Sequence, residues 1–155
     1  MDLNRQSRVI RAAGILDGEG TFRTKSNGHV PIIACEMTDL DIIEELCDLF
    51  GGTITKPKLR NEKYKQTWVW GISSSKASDI MLEIRPFVFS RRKTQIDKIL
   101  HTWENRLKVL NTQKANRILA AEEYLLGKTS LRKVAEKYNV SYETVRRTVE
   151  ELKKL

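Results

Sequence analysis

The chain of 155 residues can hold one domain and at most a small appendage, and its 40% hydrophobic and 31% charged residues are typical of a globular protein. The sequence contains no apolar run of the roughly 20 residues that cross a bilayer and no pattern of a secretion signal. Its cysteines are too few for a disulfide scaffold or a zinc finger. We therefore expect an intracellular protein of the cytoplasm, nucleoid or an organelle matrix, with no membrane partner. The net charge of +8 favours an anionic partner, most often nucleic acid.

The first fifty residues carry an αββα pattern. Apolar residues at helical spacing predict the first helix, β-branched residues around Asn27-Gly28 predict a hairpin, and an amphipathic segment predicts the second helix. The predicted bounds are 5–16 for the first helix, 21–25 and 30–37 for the strands, and 39–50 for the second helix. Asp17-Gly18-Glu19-Gly20 is expected to break the first helix. Thr38 or Asp39 would cap the second, and Gly51-Gly52 would end it.

The next sixty residues repeat the ββα order. The predicted elements are strands at 53–58 and 63–73 around a turn at Arg60-Asn61-Glu62, a helix at 76–84 before Pro86, and a long helix at 91–110. The long helix is expected to bury Ile96, Ile99, Leu100, Trp103, Leu107 and Leu110. Residues 1–110 are therefore predicted to form an α+β domain of αββαββα order.

The alternation of side chains along the strands predicts which residues face the core. The side chains expected in the core are Phe22, Tyr64, Trp68, Trp70 and Ile72. Those expected on the opposite face are Thr21, Arg23, Lys25, Lys63, Lys65 and Thr67. Such a face fits the major groove of DNA, where side chains can contact base edges, and it also fits an ordinary solvated surface.

From residue 111 onward the pattern is almost entirely helical, with predicted helices at 113–126, 130–137 and 141–154. No Gly/Pro linker precedes this segment, so we expect its join to the helix at 91–110 to be helical and short. Residues 130–147 resemble a helix-turn-helix, in which Ala135 lets two helices cross closely and Asn139 tolerates the positive φ of the turn. Val140 and Val145 would be its apolar anchors. The residues expected to contact DNA are Ser141, which also caps the second helix, and Tyr142, Thr144, Arg146 and Arg147. A helical extension that stabilises a dimer is the alternative for segment 111–155.

Charge is distributed unevenly along the chain. Nine Lys and Arg lie between Arg85 and Arg117, opposed only by Asp97 and Glu104. By contrast, residues 36–48 hold six acids and no base. We therefore expect one acidic surface and other surfaces that are strongly basic.

The segment Ala12-Ala13-Gly14-Ile15-Leu16-Asp17-Gly18-Glu19-Gly20 places an acid between two glycines where a helix gives way to a strand. Small residues at 12–14 allow two helices to approach closely. The Glu19 carboxylate, beside a free backbone carbonyl such as that of Gly18, is an oxygen site suited to Mg²⁺. Without further context, a helix-ending loop with a solvated acid is the simpler interpretation.

Continued as Gly18-Glu19-Gly20-Thr21-Phe22, this segment resembles the LAGLIDADG signature of homing endonucleases. Four further anchors follow in the order of that family: Met37-Thr38-Asp39, Phe50-Gly51-Gly52-Thr53-Ile54, Trp70 and residues 86–95. The resemblance covers about residues 8–110 and contains one signature, with Ala12 in place of its first Leu. It implies a LAGLIDADG core with an antiparallel four-stranded DNA-binding sheet.

The family resemblance implies a site-specific, metal-dependent double-strand DNA endonuclease. Single-signature members of the family act as homodimers, so the first helix would pack on its symmetry mate through Ala12, Ala13 and Gly14. Glu19 and the Gly18 carbonyl would hold Mg²⁺ or Mn²⁺. The implied catalytic residues are Glu19, Arg92 or Lys93 (with Arg91 still possible) beside the phosphate, and Asp39, which would orient water but serves equally well or better as a helix cap.

Two other functions stay open. Some transcriptional regulators look like a LAGLIDADG fold joined to a helix-turn-helix, with the nuclease activity lost. Some family members resemble intron RNA maturases. The retained Glu19 and the basic residues after Pro86 favour the nuclease over the regulator.

Overall fold

The computed structural model describes residues 3–25, 28–58, 63–127 and 129–154. The chain divides into two compact units, Met1–Glu104 and Asn105–Leu155. The elements of the first unit are α1 (Leu3–Glu19), β1 (Gly20–Lys25), β2 (Val30–Met37), α2 (Leu40–Phe50), β3 (Thr53–Thr55), β4 (Trp68–Ser73), α3 (Ser75–Ile84), a 3₁₀ turn (Arg85–Phe87) and the first part of α4 (Ser90–Leu125). The predicted α+β class and αββαββα order are confirmed.

The sheet of the first unit is antiparallel and has four strands in the order β1-β2-β4-β3. One face packs against the helices, because alternate residues of each strand are apolar and buried. Phe22, Ile33 and Trp70 lie in this core together with Leu16 of α1 and Ile43 of α2. The buried indole nitrogen of Trp70 keeps a hydrogen-bond partner, since it donates to the Gly51 carbonyl at 2.8 Å.

The first helix is longer than predicted. Asp17, Gly18 and Glu19 complete α1 instead of breaking it, and β1 begins at the next residue. The change from helix to strand occurs at Gly20, where a Cβ atom would lie 2.3 Å from the Leu16 carbonyl oxygen. Only glycine fits there, so this residue permits a helix to pass into a strand without a loop.

The strands β3 and β4 are shorter than predicted. Pro57 has no backbone N–H to donate to a neighbouring strand, so β3 does not extend through it. The described residues before Trp68 form no strand pairing with this segment. The side-chain amide of Gln66 instead donates to the carbonyls of Pro57 and Thr67. Tyr64, expected in the core, is 67% exposed because it precedes the strand. The turn at Arg60-Asn61-Glu62 lies outside the described residues, as does Asn27 of the β1–β2 hairpin.

The long helix α4 joins the predicted helices at 91–110 and 113–126 into one, and the join is helical as expected. It runs without a break from Ser90 to Leu125, since that stretch contains neither Gly nor Pro. Ile96, Ile99 and Leu100 are buried as expected. Leu107 and Leu110, expected inward, are more than a third exposed, because the core of the first unit ends before them.

The second unit consists of the last part of α4, α5 (Leu131–Lys137) and α6 (Tyr142–Leu152). Its own core is built from Ala120 and Ala121 of α4, Val134 and Ala135 of α5, and Val145 and Val149 of α6. Gly127 ends α4 with a φ of 70° and Asn139 takes the turn before α6 with a φ of 51°. Lys128 of the predicted break lies outside the described residues. The small residues at the helix contacts let three short helices bury a common core.

Candidate active site and DNA interface

The acid of the signature, Glu19, is exposed at the last residue of α1. The following Gly20 pairs with Cys35 of β2, so Glu19 lies at one end of the β1–β2 hairpin. Glu19 is close enough to the Cys35 thiol to affect its ionisation. Burial raises the pKa of Cys35 to about 11, and the negative charge of Glu19 adds to the rise. The carboxylate therefore lies at the corner of the sheet where α1 passes into β1.

The backbone at the end of α1 supplies further oxygen atoms. The last carbonyls of an α-helix lack partners within the helix, and one of them, Asp17 O, is taken by Arg92. The predicted metal ligand Gly18 is exposed, with open space where a Cβ would stand. One carboxylate with helix-end carbonyls fits a hard cation such as Mg²⁺ but supplies only part of a coordination shell. Within the described ranges, no group of three or more His, Cys, Asp or Glu is placed to hold a metal ion.

The predicted catalytic residue Arg92 is buried, with 7% of its surface exposed. Its guanidinium donates to the Asp17 carbonyl at 2.7 Å and to Gln95 Oε1 at 2.8 Å, and it lies 4.6 Å from the centre of the Phe22 ring. The Asp17 carboxylate is 3.6 Å from Arg92 Nε and accepts the backbone N–H of Phe89. Arg92 thus ties the end of α1 to the start of α4, which is a positioning role.

Burial and charge act in opposite directions on this guanidinium. Desolvation lowers the pKa of Arg92, the neighbouring Arg91 lowers it further, and the carboxylate of Asp17 raises it. Gln95 extends the network by donating from Nε2 to the Phe22 carbonyl at 2.8 Å. The contacts to α1 and β1 hold the guanidinium in one place.

The other basic candidates and Asp39 are differently placed. Arg91 is exposed and Lys93 is half-buried on the first turn of α4. Asp39 occupies the N-cap position of α2 and is exposed, but its side chain makes no capping hydrogen bond. The helix-cap interpretation of Asp39 therefore holds for its position and fails for its side chain. Asp39 follows β2 only four residues after Cys35, which puts it at the same end of the hairpin as Glu19.

The small residues of α1 do not share one face. Ala12 and Ala13 are buried in the core of their own chain, so the expectation that both contact a partner helix is corrected. Gly14 is exposed, with open space around it, and Ile10 on the same face is 46% exposed. The exposed stripe of α1 therefore runs through Ile10, Gly14 and Gly18, spaced one turn apart.

The solvent face of the sheet carries positive charge mainly at its edge. Thr21, Arg23 and Lys25 of β1 are exposed as predicted. Lys63 and Lys65 are exposed too, but they precede β4 instead of lying in it, so their predicted strand register is wrong. Thr67 donates from its hydroxyl to Glu36 at 2.7 Å. Pattern reasoning missed the other side chains of this face: Ile32, Ala34 and the acid Glu36 of β2, Val69 of β4, and Thr53 and Thr55 of the edge strand β3.

The helix-turn-helix residues occupy the expected positions in the second unit. Ser141 caps α6 by accepting the Thr144 amide at 3.2 Å. Tyr142, Arg146 and Arg147 are exposed on α6, while Val145 is buried. Arg146 is near two acids of the same helix, Glu143 at 3.3 Å and Glu150 at 3.9 Å. These exposed ion pairs are weak, so Arg146 can exchange them for a phosphate.

Comparison with known proteins supports the fold. The sequence matches no protein-family model and has no significant match among curated proteins. The homing endonuclease I-CvuI, in complex with its target in the presence of 2 mM Ca, superposes with a TM-score of 0.55 at 13% identity over 97% of this chain and 98% of its own. A second structure of I-CvuI, with uncleaved DNA in the presence of 2 mM Mg, gives 0.54 at 14% identity with the same coverage. A third, the LAGLIDADG homing endonuclease I-GzeII in complex with its DNA target, gives 0.44 at 15% identity over 92% of this chain and 41% of its own.

The chain has the LAGLIDADG homing endonuclease fold. Asp17 and Gln95, which the sequence analysis did not assign to the candidate site, contact Arg92 in the structure. The signal was available in the spacing of Asp17 from Glu19, because residues two apart on a helix point in different directions. Glu19 therefore faces solvent while Asp17 faces Arg92. In the described ranges, no helix of this LAGLIDADG fold is both long enough and apolar enough to span a membrane.

Proposed function

We propose that the protein is a site-specific double-strand DNA endonuclease that acts as a homodimer with Mg²⁺ or Mn²⁺. The observation that carries the proposal is the exposed carboxylate of Glu19 at the end of α1, a helix end that the buried Arg92 holds through its contacts with Asp17. A metal-dependent nuclease needs an accessible carboxylate on a well-held backbone. Glu19 is accessible, and Asp17 helps to hold the end of its helix through Arg92.

Each chain contributes a defined set of groups to phosphodiester hydrolysis. Glu19 and the helix-end carbonyl of Gly18 would hold the divalent cation, which when bound activates water and stabilises the leaving 3′ oxygen. Asp39, at the same end of the hairpin, would orient the attacking water through its unused side chain. Together these residues supply oxygen ligands and proton acceptors, as hydrolysis of a phosphodiester requires.

A cation beside the scissile phosphate offsets the charge that builds up there. Arg92 is committed to Asp17 and Gln95, so its contribution is to hold α1 against α4. Lys93, half-buried on the first turn of α4, and the exposed Arg91 are the residues able to reach a phosphate. We assign this role to Lys93 or Arg91 in preference to Arg92.

A homodimer would enlarge the metal site. In the described part of the chain no group of three or more His, Cys, Asp or Glu is placed to hold a metal ion, and Glu19 of a partner copy would add a second carboxylate beside the first. The exposed stripe of Ile10, Gly14 and Gly18 allows two α1 helices to approach closely, and their C-terminal ends would bring both carboxylates together. Gly14→Leu should therefore raise the dimer dissociation constant at least tenfold in sedimentation equilibrium. Lys76→Leu, which adds the same side chain at an exposed position of α3, should leave dimerisation unchanged.

DNA contact would come from two surfaces. Thr21, Arg23 and Lys25 of β1 would lie against the major groove, with Lys63, Lys65 and Thr67 beside them. The second unit would bind DNA through α6, where Ser141, Tyr142, Thr144, Arg146 and Arg147 surround the capped N-terminus. Deletion of residues 111–155 should then shorten the protected DNA on each side of the site.

Cleavage of fragmented DNA from the source of the protein tests this proposal. The full chain with Mg²⁺ should yield recurrent staggered ends at one sequence, and chelation of the metal should abolish them. Glu19→Gln should abolish cutting while binding in Ca²⁺ stays within twofold of wild type. Glu44→Gln, which removes an exposed acid of α2, serves as the matched control and should cut normally. Cutting that survives Glu19→Gln would refute the assignment.

A DNA-binding regulator with lost nuclease activity is the second candidate. The complete helix-turn-helix, with both of its helices capped by serine, favours it. A regulator would protect one DNA sequence from chemical cleavage and leave the strands intact under every divalent cation. Glu19→Gln would then change neither binding nor footprint.

A further inference from the structure

A groove in the second unit adjoins the DNA-contacting surface proposed for α6 and extends from it onto α4. It has a volume of about 750 Å³ and runs between α4 and the turn that leads into α6. One wall is the α4 segment 108–117, and the other is formed by Asn139, Val140, Ser141 and Thr144. The side-chain amide of Asn116 pins the two walls together by donating to the Tyr138 carbonyl at 3.2 Å.

The charge of the groove has one sign. Lys108, Lys114 and Arg117 line it, and none of the lining residues is acidic. Lys108 and Lys114 are exposed, so their ammonium groups are available to a ligand. The remaining polar side chains along the walls are hydroxyls and amides, which are good donors to oxygen.

The guanidinium of Arg117 is a second observation that favours an anionic ligand. Its Nε atom is buried and has no hydrogen-bond partner within the described ranges. A buried polar nitrogen without an acceptor costs free energy that a phosphate oxygen would recover, and a guanidinium binds phosphate through two parallel bonds. The cations of this groove would therefore favour an oxyanion such as a phosphate.

We propose that this groove binds the sugar-phosphate backbone of duplex DNA through Lys108, Lys114 and Arg117. The proposal rests on the DNA-binding part of the proposed function. It adds a set of phosphate contacts on α4, separate from the base contacts proposed for α6. Ser141 and Thr144 belong both to the groove and to the start of α6, so a strand held in the groove passes directly beside the N-terminus of that helix. The exposed apolar side chains Val109 and Leu110 provide the surface against which deoxyribose can pack.

The salt dependence of DNA binding tests the groove. Each phosphate neutralised by a Lys or Arg contributes about −0.9 to the slope of log K against log salt. We would measure binding of a fluorescent random-sequence duplex of about 30 base pairs to the full chain between 50 and 200 mM NaCl, in Ca²⁺. The variant Lys108→Gln/Lys114→Gln/Arg117→Gln should lose between two and three units of slope. The control variant Lys133→Gln/Lys153→Gln/Lys154→Gln removes the same charge from exposed positions outside the groove and should lose less than one.

Equal slopes for the two triple variants would overturn the groove assignment. If Arg146→Gln/Arg147→Gln then still weakens DNA binding, α6 binds DNA and only the groove inference falls. A wild-type chain that binds no duplex would overturn both. Because Arg117 is half-buried, the double variant Lys108→Gln/Lys114→Gln provides a second test, expected to lose between one and two units of slope with an unchanged circular dichroism spectrum.

Discussion

The guanidinium of Arg92 donates a 2.7 Å hydrogen bond to the backbone carbonyl of Asp17, 75 residues away in sequence. The same guanidinium faces the Asp17 carboxylate and the ring of Phe22, so three elements meet at one buried cation. Glu19 is two residues further along α1 and points to solvent. The contact between Arg92 of α4 and Asp17 therefore fixes how the end of α1 is turned, with Asp17 toward the interior and Glu19 toward solvent.

Replacement of Arg92 should separate positioning from catalysis. Arg92→Leu leaves the mostly buried Asp17 carboxylate without its cation, so we expect the free energy of unfolding to fall by roughly 3 kcal/mol. Arg92→Lys keeps the charge but loses the fork that spans the Asp17 carbonyl and Gln95, so cleavage should fall at least tenfold with a smaller loss of stability. Urea unfolding and single-turnover cleavage provide the two measurements.

Arg91→Gln and Lys93→Gln are the matched comparisons for that experiment. Neither should change stability by more than about 0.5 kcal/mol, because both are surface substitutions. One of them should lower the rate of cleavage at saturating DNA. If Arg92→Lys cut at the wild-type rate, Arg92 would not position the end of α1.

The tight junction at Gly20 predicts a large effect from one added methyl group. In Gly20→Ala the Cβ would lie 2.3 Å from the backbone oxygen of Leu16 and 2.9 Å from the Phe22 ring, so α1 or β1 must move. We expect a loss of at least about 2 kcal/mol in urea unfolding. Gly18→Ala meets nothing within 4 Å and lies inside the helix, so it should stabilise by about 0.5–1 kcal/mol. Equal effects at the two glycines would contradict the junction geometry.

The Cys35 thiol predicts a pH dependence of stability. Its pKa rises from 9.0 to about 11 on folding because the side chain is buried and Glu19 is close. Between these values the unfolded chain loses the proton and the folded chain keeps it, so stability is full below pH 9 and falls as the pH rises toward 11. The full loss is on the order of 3 kcal/mol, because one pKa unit corresponds to about 1.4 kcal/mol.

Urea unfolding at pH 8.5 and pH 10.5 measures this dependence. Lysines and tyrosines titrate in the same range, so the test is the difference between wild type and Cys35→Ala. The variant should lose less stability over this interval than the wild type does. Identical pH profiles for the two proteins would show that Cys35 is not the titrating group.

The sequence predicted most of this architecture because periodicity reports which face is buried. Phe22, Trp70, Ile96 and Val145 are core residues as expected, and the order of elements is correct. The errors have a common cause: a local sequence pattern does not show whether another strand or helix lies opposite the residue to bury it. Tyr64 alternates correctly with Trp68 but has no strand opposite it. Leu107 and Leu110 keep the apolar spacing of α4 beyond the point where the first core ends.

The candidate site was predictable at Glu19 and less so around it. A signature identifies the acid, but long-range contacts decide which of three neighbouring cations is buried. Arg91, Arg92 and Lys93 point in different directions on the first turn of α4, and only the position of Asp17 selects Arg92 for the interior. Likewise, Ala12 and Ala13 are small for the packing of their own core, and Gly14 is the one that faces outward.

The two serine caps of the second unit predict an effect that can be read separately from the first unit. Ser141 accepts the amide of Thr144 at 3.2 Å, whereas Ser130 accepts that of Lys133 at a longer 3.5 Å. Ser141→Ala should therefore cost about 1 kcal/mol and Ser130→Ala less. Loss of the Ser141 cap frays the start of α6, so it should also weaken DNA binding.

Different probes distinguish the two units in this test. All three tryptophans, Trp68, Trp70 and Trp103, lie in residues 1–104, so their fluorescence follows the first unit. Far-ultraviolet circular dichroism follows the helices of both. In Ser141→Ala the circular dichroism transition should begin at a lower temperature while the fluorescence transition stays in place. If both transitions shift together, the units unfold as one cooperative body and α4 transmits the loss of the cap to the sheet.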